Sequence, residues 1–166
     1  QFMQTFALDR AFGLIFIADC SFDLLYTEAD QRATLRNIRR HLLPGGALLF
    51  DTETVPDPAW FAAGQSAQWS SFEDGHILIV SRKIFRYNPD TYERPGLQIH
   101  EYYIDGILQE TRAYEDPMRY NDPAALCAML AEEGFQDIAV GRYQSDDPPL
   151  HTVGELASIR CRKPAA

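Results

Sequence analysis

Two carboxylates in this sequence stand where a ligand of an open α/β sheet would meet them. Asp19 directly follows the apolar run Phe12-Gly-Leu-Ile-Phe-Ile-Ala18, and Asp51 closes Ala47-Leu-Leu-Phe-Asp51. Ligands of such sheets bind outside the carboxyl ends of the strands. Both acids therefore fall at the rim of the expected pocket, where each can accept a hydrogen bond, move a proton or simply cap nearby backbone. Cys20 has no histidine near it in the sequence and reads as a small buried filler rather than a nucleophile. His41 lies at the basic end of a helix, His76 follows a turn and His151 sits in the last loop. His100, in a stretch with Leu97, Ile99 and Glu101, either faces a substrate cavity or stands on a sheet surface. No two histidines have the spacing of metal ligands, so no metal is expected. Arg86, Arg112 and Arg119, in or beside a Tyr- and Trp-rich stretch, can hold a substrate carboxylate or remain solvated.

The elements that must position these residues follow from the hydrophobic pattern. Phe12 to Ala18 is apolar without alternation, the signature of a strand covered on both faces in a parallel sheet. Thr27-Glu-Ala-Asp30 is a helix start with a Thr cap and an acid three residues on. Leu35, Ile38 and Leu42 recur at helical spacing, Arg32, Arg36, Arg39 and Arg40 face water, and Pro44-Gly45-Gly46 stops the helix. Ala47 to Thr52 is a second buried strand, so strand, helix and strand form a βαβ unit with a right-handed crossover. From Trp69 to Tyr120 the pattern turns antiparallel. A strand starts at Ile77 and ends near Tyr87, a loop spans Asn88 to Gly96, and Leu97–Ile104 and Ile107–Tyr114 flank the hairpin signal Asp105-Gly106. Asp122 caps a last helix with Pro123 at its first position and Leu126, Met129 and Leu130 as its apolar stripe, closed by Gly134. Phe135–Tyr143 and Leu156–Lys163 read as two final strands around a Pro-rich turn at Asp146 to Leu150.

Three ordered blocks carry a family resemblance. Phe16-Ile-Ala-Asp-Cys-Ser-Phe22 with Thr27-Glu-Ala-Asp-Gln31, then Asn37 to Gly46 with Leu49-Phe-Asp51, and finally Asp122 to Phe135 resemble the second half of a class I, Rossmann-like S-adenosylmethionine-dependent methyltransferase. The resemblance covers roughly residues 1–52 and 120–166. It implies an α/β fold: the C-terminal part of a Rossmann-like sheet, made of a βαβ unit plus a closing antiparallel strand pair, with an inserted antiparallel β-meander. It divides the chain into a partial core over 1–58, the meander as substrate cover or dimer contact over 59–119, and the last helix with the closing strands over 120–166. It also implies the site. Met3, Ala18, Asp19, Cys20 and Phe22 would line the S-adenosylmethionine pocket, and Tyr26, His100, Tyr103 and Arg119 would meet the substrate. Asp19 would be the candidate catalytic acid or base, in a reaction that needs in-line positioning more than a proton relay.

Departures from the family pattern are equally specific. No G-x-G occurs among the ten glycines, so the turn that lets backbone approach the cofactor is absent, as is the acid that holds the ribose. Phe2 stands where the adenine-contacting segment, commonly D-M-x-x-F, has its Asp, and Leu24 stands where similar sequences often carry His. These departures lead us to expect the C-terminal portion of a methyltransferase, inactive as isolated and with weak or no cofactor binding. The first strand would then have an unpaired edge, covered most simply by a second copy in a homodimer.

Composition narrows the partners. Fifteen Lys and Arg against 24 Asp and Glu leave a net charge of -9, which disfavours nucleic acid and anionic membrane surfaces. The longest apolar run is too short to span a bilayer, and three well-separated cysteines suit a reducing cytoplasm. A small-molecule methyl acceptor is the expected partner. The rival expectation is a non-catalytic dimerisation or binding module that uses the aromatic meander.

Overall fold

The chain divides into two compact units, Gln1–Pro56 with Arg119–Ala166, and Asp57–Met118. The structure, a computed structural model, describes residues 2–55, 67–142 and 156–165. In chain order the elements are β1 (Phe12–Ile17), a 3-10 turn (Ser21–Leu24), α1 (Glu28–His41), β2 (Leu42–Glu53), β3 (Ala67–Asp74), β4 (Ile77–Phe85) and β5 (Glu93–Arg94). They continue with β6 (Gly96–Ile104), β7 (Ile107–Glu115), β8 (Met118–Arg119), α2 (Pro123–Glu132), β9 (Gln136–Arg142) and β10 (Leu156–Arg162). None of the described helices is long and apolar enough to cross a membrane.

The first unit is built on a four-stranded sheet in the order β1-β2-β10-β9. β1 and β2 are parallel, as the intervening helix requires, and β10 runs antiparallel to both β2 and β9. α1 starts where its capping signal lies. The Asp30 N–H donates to Thr27 Oγ1 at 3.1 Å, and the Thr27 hydroxyl donates to Asp30 Oδ2 at 2.7 Å. α2 starts the same way, with the Ala125 N–H donating to Asp122 Oδ1 at 2.8 Å.

Both helices contribute to one core. Leu35 and Ile38 of α1, Leu126 and Leu130 of α2, Leu48 and Phe50 of β2 and Ile159 of β10 are all buried in it. Each such side chain stabilises the fold by about 1.5–3 kcal/mol through lost apolar exposure.

That shared core corrects two expectations. β1 is not covered on both faces: Ile15 and Ile17 pack against the core, whereas Leu14 is 55% and Phe16 68% exposed. The physical reason is that both described helices pack into the same core, so no described helix covers the other face of β1, where the Arg10 guanidinium lies over the Phe12 ring. The arginines of α1 do not all face water either. Arg32 reaches Glu28, Glu132 and Glu133, and Arg39 Nε donates to the Gly134 carbonyl at 3.1 Å, because the end of α2 lies beside α1. A smaller difference lies at the Pro44-Gly45-Gly46 segment. The helix ends at His41, Leu42 is already extended, and the glycines form a bulge inside β2, with Phe12 opposite Leu42 and Leu14 opposite Ala47.

The second unit is an antiparallel sheet in the order β3-β4-β6-β7. Asp105 (φ 50°) and Gly106 (φ 75°) make the expected left-handed turn between β6 and β7. The stretch expected as a loop from Asn88 to Gly96 contains the short strand β5, and Gly96 already belongs to β6. Trp60 and the Asp146–Leu150 turn lie outside the described residues.

Candidate functional site

The carboxyl end of β1 has a distinctive backbone. Ala18 and Asp19 are exposed there. Asp19 (φ 56°) and Cys20 (φ 50°) are two consecutive non-glycine residues in the left-handed region. That conformation costs roughly 1–2 kcal/mol per residue and persists only where surrounding structure enforces it, which is common at binding sites. The chain then tightens, with Ser21 N–H bonded to Ala18 O at 3.2 Å and Asp23 N–H to Cys20 O at 2.9 Å. Phe22 is wholly buried, its ring centroid 4.6 Å from that of Phe50. Its side chain is part of the core, so what Phe22 offers this site is anchorage rather than a pocket wall.

Beneath the turn lies a buried polar network. Asp23 Oδ1 accepts from Thr52 Oγ1 at 2.5 Å and from Asn121 Nδ2 at 2.8 Å, and its Oδ2 accepts from the Glu53 N–H at 2.7 Å. Asn121 Nδ2 also donates to Thr52 Oγ1 at 2.8 Å, and Gln31 Nε2 donates to Asn121 Oδ1 at 3.1 Å. Burial pushes the Asp23 carboxyl well above the usual carboxylate range, although these donors pull in the opposite direction.

The electrostatics of the rim are acidic. Burial first, and then the carboxylates of Asp23, Asp51, Glu53 and Asp19, push the Cys20 thiol far above its ordinary value. Cys20 is thus held as a neutral thiol, in keeping with a filler and not a nucleophile. Asp51 Oδ1 is buried without a hydrogen-bond partner among the described residues. The end of the β1–β2 pair therefore offers hydrogen-bond acceptors and negative potential, which suit a cationic or hydroxyl-bearing ligand.

The other expected site residues are placed as follows. Met3 packs against the core with its carbonyl accepting from Asn37 Nδ2 at 3.2 Å, in a segment that lies along α1 from Gln4 at Asp30 to Leu8 at His41. Tyr26 is half-buried just before α1. Arg119 is nearly buried, its Nη2 4.0 Å from Glu28 Oε2 at the start of α1. His100 and Tyr103 belong to the second unit and do not share a face. His100 lies opposite Ser81, whose hydroxyl is 2.7 Å from its Nδ1, with Tyr102 and Tyr114 nearby. Tyr103 points to the other side of the sheet, where its hydroxyl donates to Glu101 Oε2 at 3.2 Å. Three residues apart in a regular strand means opposite faces.

Asp23, Thr52, Asn121 and Gln31 were not singled out by sequence reasoning. Their partners are 29, 98 and 90 positions apart, so no local sequence signal marks them.

No protein-family model matches the chain, and neither does any curated protein sequence. Solved structures do match. An S-adenosylmethionine-dependent methyltransferase from Clostridium acetobutylicum superposes with a TM-score of 0.70 at 14% identity, over 99% of this chain and 63% of its own. The fold is that of the class I methyltransferases. The sugar N-methyltransferase KedS8 from a Streptoalloteichus species has the same methyltransferase fold, with a TM-score of 0.70 at 15% identity over 99% of this chain and 61% of its own. So does CalS10, an amino pentose methyltransferase from Micromonospora echinaspora solved with S-adenosylmethionine bound, at 0.69 and 16% over 98% and 63%. The chain thus spans a little over three-fifths of the length of the methyltransferase structures it matches.

Proposed function

We propose that this chain forms part of an S-adenosylmethionine-dependent methyltransferase that acts on a small-molecule acceptor. The observation that carries the reading is the acidic, left-handed turn at the carboxyl end of β1, in a sheet with the methyltransferase fold. The residues present fit the cofactor in charge, because a sulfonium is a cation and the rim around Cys20 is lined with carboxylates. When bound, the cofactor supplies an electrophilic methyl group.

The chain's own residues do the rest. Ala18 and Asp19 present backbone and a carboxylate at the strand end, Cys20 continues the turn, and Phe22 anchors it to the core. Met3, held against α1, is the candidate for contacting the cofactor from that side. Asp19, exposed and acidic, is the candidate to take a proton from the acceptor. Tyr26, Arg119, His100 and Tyr103 are the candidates for holding that acceptor, and because His100 and Tyr103 lie on opposite faces of their sheet, one of those two at most does so. The 166 residues contain no G-x-G turn and no ribose-holding acid, so by themselves they bind the cofactor weakly or not at all and are inactive.

The test uses the polypeptide of the full reading frame that contains these residues, with methyl-labelled S-adenosylmethionine and calorimetry. Cofactor binding with transfer of label to a small amine or hydroxyl compound supports the reading. A full polypeptide that does not bind the cofactor refutes it. Tight binding by the 166 residues alone refutes the account of the missing glycine turn.

A second reading is favoured by one observation. The meander leaves Phe72 60%, Ile107 66%, Leu108 49% and Tyr114 47% exposed, which suits a non-catalytic dimerisation or binding module.

A further inference from the structure

Asp23 lies beneath the acidic rim, wholly buried, and can touch no ligand. It is nevertheless the node through which the turn after β1 is tied to its surroundings. Its carboxylate gathers donors from the end of β2 (Thr52 Oγ1 and the Glu53 N–H) and from the segment leading into α2 (Asn121 Nδ2), and Asn121 is in turn held by Gln31 of α1. Its own N–H is bonded to the carbonyl of Cys20 at 2.9 Å. Asp19 and Cys20, immediately upstream, are both left-handed, a conformation that Asp adopts in single turns but that Cys and a consecutive non-glycine pair rarely do. A strained pair persists only when neighbours over-determine it, and here the neighbouring restraint converges on one side chain.

We infer that Asp23 is a positioning residue: through Thr52, Glu53 and Asn121 it holds the Asp19–Cys20 pair in its left-handed conformation and so fixes Ala18 and Asp19 at the carboxyl end of β1. The functional meaning of this clamp rests on reading that end as the cofactor site; the clamp itself is a statement about the chain alone.

Cys20 reports on the turn, and Cys161, wholly buried in the core, reports on global unfolding. The experiment measures iodoacetamide labelling of each cysteine by mass spectrometry at neutral pH. Asp23→Ala removes the acceptor and Thr52→Val removes a donor. Asp23→Asn and Thr52→Ser are the conservative variants. Asn regains an equivalent set of bonds if the amides of Asn121 and Gln31 turn over, and Gln31 Oε1 has no partner to lose by doing so. Asp23→Ala and Thr52→Val should raise Cys20 labelling by about tenfold, the scale of one lost buried hydrogen bond. Cys161 labelling should stay unchanged, and the conservative variants should label as the wild type does.

The inference is overturned if Cys20 labelling does not change in the disrupting variants. It is equally overturned if Cys20 and Cys161 rise together in both, since the role is then only structural. A second measurement separates the clamp from the functional reading. In the full polypeptide, affinity for S-adenosylhomocysteine should fall in Asp23→Ala and recover in Asp23→Asn. If the wild type does not bind at all, the proposed function fails while the labelling result still decides the clamp.

Discussion

The two glycines of the Pro44-Gly45-Gly46 bulge do different physical work, and substituting them one at a time should show it. Gly45 has φ +73° and nothing within 4 Å of the place a Cβ would occupy. Gly45→Ala therefore meets only backbone strain, about 1 kcal/mol. A Cβ on Gly46 would stand 2.8 Å from the Leu43 carbonyl oxygen, 3.0 Å from that of Phe12 and 3.3 Å from that of Gly13. All three are backbone atoms, two of them on β1, so a methyl group there is a wedge between β1 and β2. The strands must open by about half an ångström, and overpacking of that kind costs about 1–3 kcal/mol. Weakening one or two ladder hydrogen bonds adds about 1 kcal/mol each. Gly46→Ala should thus lose about 3 kcal/mol, roughly three times the loss of Gly45→Ala. Urea unfolding gives the two values, and hydrogen exchange of the β1 peptide locates the damage. Because β1 is an edge strand among the described residues, faster exchange should run along it to the Ala18–Asp23 turn. A Gly46→Ala loss equal to or smaller than that of Gly45→Ala refutes the wedge.

Two further outcomes follow from the same structure. Burial holds the Asp23 carboxyl above its unfolded value of 3.8, so the folded state keeps a proton that the unfolded state releases. The stability this group contributes is fully present below that value and is lost as pH rises through the raised one. Asp23→Asn never ionises, so the unfolding free energy of the wild type relative to this variant should fall from about pH 4 upward; a difference that grows with pH in denaturant titrations would count against it. Phe16, 68% exposed beside Leu14 on the open face of β1, should take part in self-association. Burying it on each of two protomers contributes about 3 kcal/mol or more, so Phe16→Glu should weaken the dimer by about a hundredfold in sedimentation experiments. A wild-type chain that stays monomeric at every concentration reached refutes that expectation.

The local signals of the sequence were legible because their causes are local. The Thr27 and Asp122 caps, the Asp105-Gly106 turn and the α1 and α2 stripes each depend on residues within a turn or two of one another, and each has its expected partner in the structure. The apolar run Phe12–Ala18 misled about its faces for the opposite reason. A run without alternation says that a strand can be covered on both sides, and only the placement of the helices decides whether it is. The position of Asp19 just past the end of β1 could be read from the order of the elements. Asp51, expected at a strand end, instead lies inside β2 opposite Ser158, because that strand runs on to Glu53. The network under these acids could not be read, because Asp23 meets Asn121 across 98 residues and nothing near Asp23 in sequence marks it.

The distribution of labour among the acids of the first unit follows from that network. Four acids surround the Cys20 thiol, and the fold treats them differently. Asp23 is buried and satisfied by three donors, which fixes its geometry and removes it from contact with solvent. Glu53 is also buried, and its backbone N–H is one of those donors. Asp19 is exposed, and Asp51 is half-buried with one oxygen lacking a partner among the described residues. The two acids that a ligand could reach are therefore the two that the fold does not consume. A cation placed at the strand end would meet those two carboxylates and leave the buried Asp23 untouched. Replacing the buried member should therefore disturb the turn before it disturbs the charge at the strand end.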